Sequence, residues 1–294
     1  MLQYPQLVQL VIFSFLVAAS INDLRKREVP NWVNYGLIIT GLGLGLLHSA
    51  VTFDGSFIIF SALGAVAAFA LAAIMFYTGQ WGGGDSKLLI GMGAALGIKA
   101  GISWPFSSLD NPFISFLFNL VFVSLFYAVA WGAVLAIRNR KKFGVEFRKQ
   151  LESHATLRKI VFAACALGLV AAVTSGDLLV KFASLGVAAI SFFTLYLSIM
   201  SKAVERACLL KNMSPLKLTE GDWIAKDVVV GGKRICGPKD LGVDKRQIRH
   251  LIDLYRKKKI KSVPIKEGLP FAPTFLIAYV ATIFLGNIFL TFLR

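Results

Sequence analysis

The chain has 294 residues, of which 56% are hydrophobic, and its formal net charge at neutral pH is +16. A soluble basic protein does not combine such a charge with so much apolar sequence. Nucleic-acid binding would need interleaved aromatic residues or a known binding module, and the sequence has neither. The composition therefore predicts a membrane protein that does not bind nucleic acid.

Apolar runs of about 20 residues with few charges are typical of membrane-spanning helices. In chain order, such runs cover residues 5–22, 32–50, 57–78, 86–102, 112–137, 159–175, 179–200 and 270–293. The first run has no basic segment before it, so we do not interpret it as a cleavable signal peptide. The predicted fold class is an all-α polytopic membrane protein with about eight transmembrane helices and a small cytoplasmic α/β insertion.

Lysine and arginine are concentrated in alternate loops. They occur at 25–27, at 138–149 and throughout 202–266, whereas the opposite loops contain only Lys99 and Lys181. Since short basic loops stay in the cytoplasm, the sequence predicts a multi-pass protein of the cell membrane with both termini outside. The same basic charge is expected to attract anionic membrane lipid.

The α/β insertion is predicted where hydrophobicity falls, between Ser201 and Gly268. Its Gly231-Gly232 pair predicts a tight turn between two short strands. Further on, Asp244 and Gln247 predict a capping box at the start of an amphipathic helix. The expected organisation is a membrane domain at 1–200, a cytoplasmic subdomain at 201–268 and a final transmembrane helix at 269–294.

Glycines four residues apart occur in the second and fourth apolar runs, at Gly41 and Gly45 and at Gly93 and Gly97. Small residues at this spacing let helices approach closely. We interpret them as packing positions within one chain rather than as a dimerisation motif.

Two carboxylates lie at predicted membrane boundaries: Asp23 ends the first run and Asp85 opens the fourth. In the predicted topology both are on the cytoplasmic side, and an ionisable group beside the hydrocarbon is a functional candidate. Two other interpretations stay open. Asp85 could serve as the N-cap of its helix, and Asp23 could pair with Arg25 or Arg27.

A pair of aspartates that shares one proton can hydrolyse a peptide bond. The ionised carboxylate takes a proton from water, and the protonated one donates a hydrogen bond to the scissile carbonyl. Three glycines, Gly82, Gly83 and Gly84, precede Asp85. They lack side chains where an extended substrate backbone would approach, and they would permit unusual backbone dihedral angles.

Helix dipoles predict which carboxyl of the pair holds the proton. Asp23 follows its helix and faces a negative helix end, whereas Asp85 precedes its helix and faces a positive one. On this argument Asp23 is the protonated partner and Asp85 activates water.

Other hydrolytic chemistries lack the residues they require. The cysteines (Cys165, Cys208, Cys236) and histidines (His48, His154, His250) have no metal-ligand spacing, and there is no HExxH motif. No serine lies in a Gly-x-Ser-Gly setting with a histidine to serve as its base. We expect no metal site, no disulfide framework and no cofactor.

Two short motifs carry a family resemblance. The sequences "DLRKREVPN" at 23–31 and "GGGDSKL" at 82–88 resemble the two signatures of the prepilin peptidase family, the GxGD-type aspartic peptidases. Two predicted spans lie between them, which also fits the family. A third stretch, "GLPFAPTFLIAY" at 268–279, resembles the C-terminal part of the archaeal branch, which includes preflagellin peptidases.

The resemblance implies a membrane aspartic endopeptidase that removes the short basic leader peptide of type IV pilin-like or archaellin precursors at the cytoplasmic membrane face. Asp23 and Asp85 would be the catalytic pair. Pro30, Asn31 and Lys87 lie within the signatures and are candidates for substrate binding, as are the glycines before Asp85. Some bacterial members also carry a cysteine zinc module and methylate the new N-terminus. This chain lacks paired CxxC motifs, so we expect no methyltransferase activity.

The sequence "LPFAP" allows two interpretations. Pro270 and Pro273 cannot both lie inside a regular helix, so they could hold a non-helical segment near the active site, with Phe271 close to substrate. Alternatively, they mark the start of the last helix, where proline is tolerated.

Two other functions remain open. A presenilin-like intramembrane protease shares the GxGD aspartate, but its partner aspartate follows a tyrosine, whereas Asn22 precedes Asp23 here. A transporter or assembly factor could use the aspartates for proton transfer or for structure. No internal repeat of the kind found in transporters is evident.

Overall fold

A computed structural model describes residues 4–99 and 111–293 of the chain. Six of its helices are long and apolar enough to cross a membrane, and they coincide with six of the eight predicted runs. The predicted class, a polytopic helical membrane protein with a small sheet region, is confirmed. The count of eight spans is not confirmed, because the other two runs form shorter helices.

The helices are α1 (Tyr4–Lys26), α2 (Asn31–Thr52), α3 (Ser56–Tyr77), α4 (Gly83–Leu96), α5 (Pro112–Arg138), α6 (Arg140–Ser153), α7 (Ala155–Thr174), α8 (Leu178–Val204), α9 (Lys245–Arg256), α10 (Ala272–Leu285) and α11 (Ile288–Leu293). The strands are β1 (Leu210–Met213), β2 (Trp223–Ile224), β3 (Val228–Val230), β4 (Lys233–Cys236) and β5 (Val263–Lys266).

The two remaining runs differ from the prediction. Helix α4 has 14 residues, about 21 Å against a hydrocarbon thickness of about 30 Å. It ends at Leu96 because Gly97 has a positive φ of 65°. The end of the predicted span, 100–102, lies outside the described residues. The last run is divided into α10 and α11 at Gly286, which also has a φ of 65°.

Helix α4 lies at the centre of the membrane domain and packs chiefly against α2 and α3. Leu88, Leu89 and Met92 are fully buried there, in a core that α1, α5 and α10 complete. Because α4 is surrounded by other helices over most of its surface, its short length does not leave polar backbone facing lipid.

The spaced glycines pack inside this bundle. A Cβ added to Gly41 would lie 2.8 Å from the backbone nitrogen of Ala95 on α4. One added to Gly93 would overlap the carbonyl oxygen of Gly64 on α3. Gly45 and Gly97 likewise lie against α3. The intramolecular interpretation is therefore confirmed, since any side chain at these positions would push the helices apart.

The predicted insertion contains the expected local structures. Strands β3 and β4 pair in antiparallel fashion around Gly231 and Gly232, whose positive φ values of 59° and 76° suit a tight hairpin turn. At the start of α9, Asp244 and Gln247 form the predicted capping box. Strand β5 pairs with β1 and β2 in a second, three-stranded sheet.

The insertion contacts the membrane domain near the start of α4, where the ring of Trp223 on β2 lies against Gly79. Within the insertion, the N–H of Glu267 donates to the carbonyl of Leu209, five residues after the end of α8, at 2.9 Å. Six residues beyond β5 the chain begins α10, so the insertion leads directly to the residues beside Asp23.

Candidate active site

Asp23 lies in the last turn of α1 and is only 5% exposed. Its carboxylate accepts a 2.8 Å hydrogen bond from the backbone N–H of Ala272, the first residue of α10. Within the part of the chain that the structure describes, no ion pair joins Asp23 to Arg25 or Arg27. The structural ion pair that we considered from the sequence is therefore not the role of Asp23.

The start of α10 explains how a backbone donor reaches this carboxylate. The residues before Ala272 are not helical, and Pro273 takes an early position in the helix, where its missing N–H is not needed. The interpretation of "LPFAP" as a helix start is thus confirmed, and the same start lies beside the buried aspartate. Pro270 is buried, and the ring of Phe271 contacts that of Trp81, with centroids 5.5 Å apart.

Asp85 is the third residue of α4 and is partly exposed. The N-cap position belongs to Gly82, so the N-cap interpretation of Asp85 is wrong. Instead, the side chain of Asp85 turns back toward Gly82 and accepts a hydrogen bond from its backbone. The charge of Asp23 acts on Asp85, so the two carboxyl groups belong to one site. We call Asp23 and Asp85 the dyad.

The backbone of the three glycines before Asp85 differs from the sequence prediction. None of them has a positive φ, so unusual dihedral angles are not the reason for glycine here. A Cβ on Gly82 would stand 3.8 Å from the carboxylate of Asp85, and one on Gly84 would contact Val29 at 3.4 Å. Their bare backbone leaves room beside the dyad, and the left-handed residue of this loop is Gly79, with a φ of 71°.

The dipole argument for the protonated partner omitted α10. Asp23 does follow the negative end of α1, but it also accepts a hydrogen bond at the positive N-terminal end of α10. A hydrogen bond from a backbone N–H favours the ionised carboxylate. Asp23 therefore lies between a negative helix end, that of α1, and a positive one, that of α10.

The other predicted site residues lie at the starts of α2 and α4. The ammonium of Lys87 donates to the side-chain oxygen of Asn31 at 2.9 Å and lies 5.4 Å from the ring centroid of Tyr35. Pro30 is the N-cap residue of α2, and its extended backbone ends the loop that follows α1. These contacts join the two signature segments.

Acidic groups of the insertion lie near the loop that follows Asp23. Burial raises the pKa of Asp222, the N–H of Thr219 opposes this shift, and the charges of Glu28 and Glu267 raise the pKa further. Glu28 belongs to the first signature, whereas Asp222 and Glu267 belong to the insertion. The insertion is therefore close to the loop that follows Asp23 rather than an isolated module.

Sequence reasoning did not find Ala272 or Trp223. Ala272 acts through its backbone N–H, which has no side-chain signature, and its relation to Asp23 depends on packing between the first and last helices. Trp223 follows Asp222 in a polar part of the sequence, where no motif marks it as a contact of the membrane domain. Among the described residues, no group of three or more histidine, cysteine or acidic side chains could hold a metal ion.

Comparison with known proteins concerns the segment that contains the dyad. The type IV leader peptidase family matches residues 10–137. The predicted resemblance to this family is confirmed. The matched segment includes Asp23, Asp85 and helices α2 to α4, while the insertion and α10 lie outside it.

Preflagellin peptidases are among the relatives. Those of Methanocaldococcus jannaschii and Methanococcus maripaludis are 32% and 33% identical to this chain, over 42% and 45% of it and over 54% and 60% of their own lengths. That of Methanococcus voltae is 38% identical over 28% of this chain and 34% of its own length. The chain thus spans about half the length of the curated relatives it matches first. No solved structure matches it.

Proposed function

We propose that this protein is a membrane aspartic endopeptidase that removes the leader peptide of archaellin or type IV pilin-like precursors. The observation that carries the proposal is the dyad: two aspartates from α1 and α4 interact, and one of them is held by a backbone donor from α10. The matched family and its preflagellin peptidase relatives favour this function over a presenilin-like protease or a transporter.

The proposed mechanism uses the two carboxyl groups in different protonation states. Asp23, with the N–H of Ala272 beside it, is ionised and takes a proton from the attacking water. Asp85 is protonated and donates to the oxygen of the scissile carbonyl, and two like charges this close favour one shared proton. The water oxygen bonds to the carbonyl carbon. The C–N bond then breaks as its nitrogen receives a proton from the dyad.

Cleavage of a purified precursor tests the function. The protein in detergent should shorten an archaellin-like precursor by the mass of its leader, at one position. If S-adenosylmethionine is supplied, the new N-terminus should remain unmethylated, since the chain has no paired CxxC motifs. An unchanged precursor mass under conditions that keep the protein folded would contradict the proposal.

The protonation states can be observed without changing either side chain. We expect ¹³C placed in the carboxyl group of Asp85 alone to shift the protonated-carboxyl infrared band of the resting protein near neutral pH. The same label in Asp23 should leave that band in place and shift the carboxylate band, because the N–H of Ala272 stabilises the charged form. The opposite result would exchange the two roles and leave the dyad itself in place.

We further propose that the active site faces the cytoplasm, that both termini lie outside, and that the precursor leader and anionic lipid meet the protein on this basic face. The proposed units are a membrane domain at 1–200, a cytoplasmic subdomain at 201–268 and a final helix from 269. The capped helix α9, the two small sheets and their shared apolar core support the middle unit.

Thiol labelling tests this orientation. Cysteines introduced at Glu28, Lys141 and Lys257 should react only from the cytoplasmic side, and one at Asp54 only from outside, because the basic loops stay inside. Native Cys236 can remain, since burial, followed by the charge of Asp240, raises the pKa of its thiol to about 11. Cys165 and Cys208 should be replaced by alanine. Labelling at Lys257 from outside would overturn the orientation.

A further inference from the structure

Three polar side chains near Asp23 have no role in the mechanism above. The Nη1 of Arg27, the hydroxyl of Tyr127 and the indole Nε1 of Trp131 are each buried without a hydrogen-bond partner. A buried donor without an acceptor costs about 1–3 kcal/mol, so native proteins leave few of them. Three together call for a ligand that supplies acceptors.

The three groups form one continuous stack. The guanidinium carbon of Arg27 lies 5.5 Å from the ring centroid of Trp131. The ring of Trp131 in turn stacks on that of Tyr127, one turn earlier on α5, with centroids 5.7 Å apart and planes at 19°. The stack therefore runs from the end of α1 along the face of α5.

Its position relative to the dyad follows from α1. Arg27 is one helical turn after Asp23, and its N–H donates to the carbonyl of Asp23 at 2.9 Å. The charges of both residues act on the hydroxyl of Tyr127, which places the stack in the electrostatic surroundings of Asp23. The backbone of Arg27 is left-handed, with a φ of 61°. Helices often end with a residue in this conformation, and here it terminates α1.

Each residue of the stack can donate a hydrogen bond. An arginine, a tryptophan and a tyrosine offer N–H and O–H groups beside the dyad, where the described chain supplies no acceptor to the three buried atoms. An extended peptide that binds against these groups would lose water from its carbonyl oxygens and need such donors in return. The aromatic rings would also contact the apolar side of the peptide.

We propose that Arg27, Tyr127 and Trp131 form a subsite that binds peptide carbonyl oxygens of the precursor next to the scissile bond. The proposal rests on the proposed function, because it assigns these donors to the substrate of the same dyad. These residues bind and orient the peptide, whereas the dyad performs the proton transfers.

Two conservative variants and a modified substrate test this subsite. Tyr127→Phe and Trp131→Phe keep an aromatic ring and remove the donor. Each should lower kcat/KM for a synthetic precursor peptide about tenfold, the usual effect of one lost hydrogen bond. Tyr196→Phe on α8, which removes a hydroxyl far along the chain from the dyad, is the matched control and should cleave as the wild type does.

The substrate arm leaves the protein unchanged. Peptides with one backbone carbonyl oxygen replaced by sulfur, at each position around the scissile bond in turn, weaken one acceptor at a time. At the position that Tyr127 contacts, the sulfur should slow wild-type cleavage but add no further loss in Tyr127→Phe. Such non-additivity is the signature of a direct contact.

The outcomes separate this inference from the proposed function. If the wild type cleaves and the dyad variants do not, while Tyr127→Phe and Trp131→Phe keep the wild-type kcat/KM, the subsite is wrong and the peptidase stands. Additive losses at every substituted carbonyl would also overturn it. If the wild type fails to cleave any precursor, the proposed peptidase function itself is wrong.

Discussion

Replacement of either dyad residue by asparagine should abolish precursor processing. In the proposed mechanism, Asp23→Asn removes the carboxylate that takes the proton from water, and Asp85→Asn removes the acid that polarises the carbonyl. General acid–base groups contribute about 10²–10⁴-fold, so we expect kcat to fall by at least that range in each variant. The measurement is the rate at which the mature product appears in a mass-resolved assay with the purified protein.

Asp54→Asn is the matched control for this experiment. It makes the same change of carboxylate to amide in the turn between α2 and α3, where Asp54 is fully exposed and accepts from the N–H of Ser56. Glu28→Gln would be a less clean control, because the charge of Glu28 acts on Asp222 of the insertion. Near-normal cleavage by folded Asp23→Asn protein would show that the dyad is not catalytic.

Removal of the Ala272 N–H should slow cleavage by about 10- to 100-fold. An ester in place of this amide, made by incorporating lactic acid at position 272, deletes the 2.8 Å hydrogen bond to Asp23 and keeps the methyl side chain. Hydrogen bonds to charged groups are worth about 1.5–3 kcal/mol, which corresponds to that loss if the bond is needed in the transition state. The measurement is kcat with a saturating precursor peptide.

The control carries the same ester at Ala281, further along α10. There the change weakens an ordinary helical hydrogen bond and leaves the dyad untouched, so the rate should stay within a few-fold of the wild type. Equal rates for the two ester proteins would mean that the backbone donor at Ala272 has no special role. A slow Ala272 ester with a normal Ala281 ester would support the assignment of Asp23 as the ionised partner.

The aspartates were identifiable from the sequence because their signal is local. A carboxylate at the edge of an apolar run is costly wherever the run folds, so Asp23 and Asp85 stand out without any tertiary information. The signal for the long helices is local in the same sense, since a run of about 20 apolar residues must satisfy its backbone hydrogen bonds internally in lipid. The capping box at Asp244 and the Gly231-Gly232 turn depend on neighbours three or fewer residues away.

The length of α4, in the centre of the bundle, could not be predicted from neighbouring residues alone. The sequence predicts a full span at 86–102, but α4 ends at Leu96 because Gly97 turns the chain where α3 packs against it. Hydrophobicity is the same for a helix that faces lipid and for one that is enclosed by other helices. Only the packing shows that α4 is enclosed and has no need to cross the whole hydrocarbon.

The electrostatic setting of the dyad was likewise decided by tertiary structure. From the sequence, Asp23 faces the negative end of its own helix. The fold brings the positive end of α10, from 249 residues away, against the same carboxylate. A backbone N–H is present at almost every residue and gives no sequence signal, so its pairing with Asp23 follows only from how the first and last helices pack. By itself the sequence determined which residues could react, and the packing of distant segments decided which donors and charges surround them.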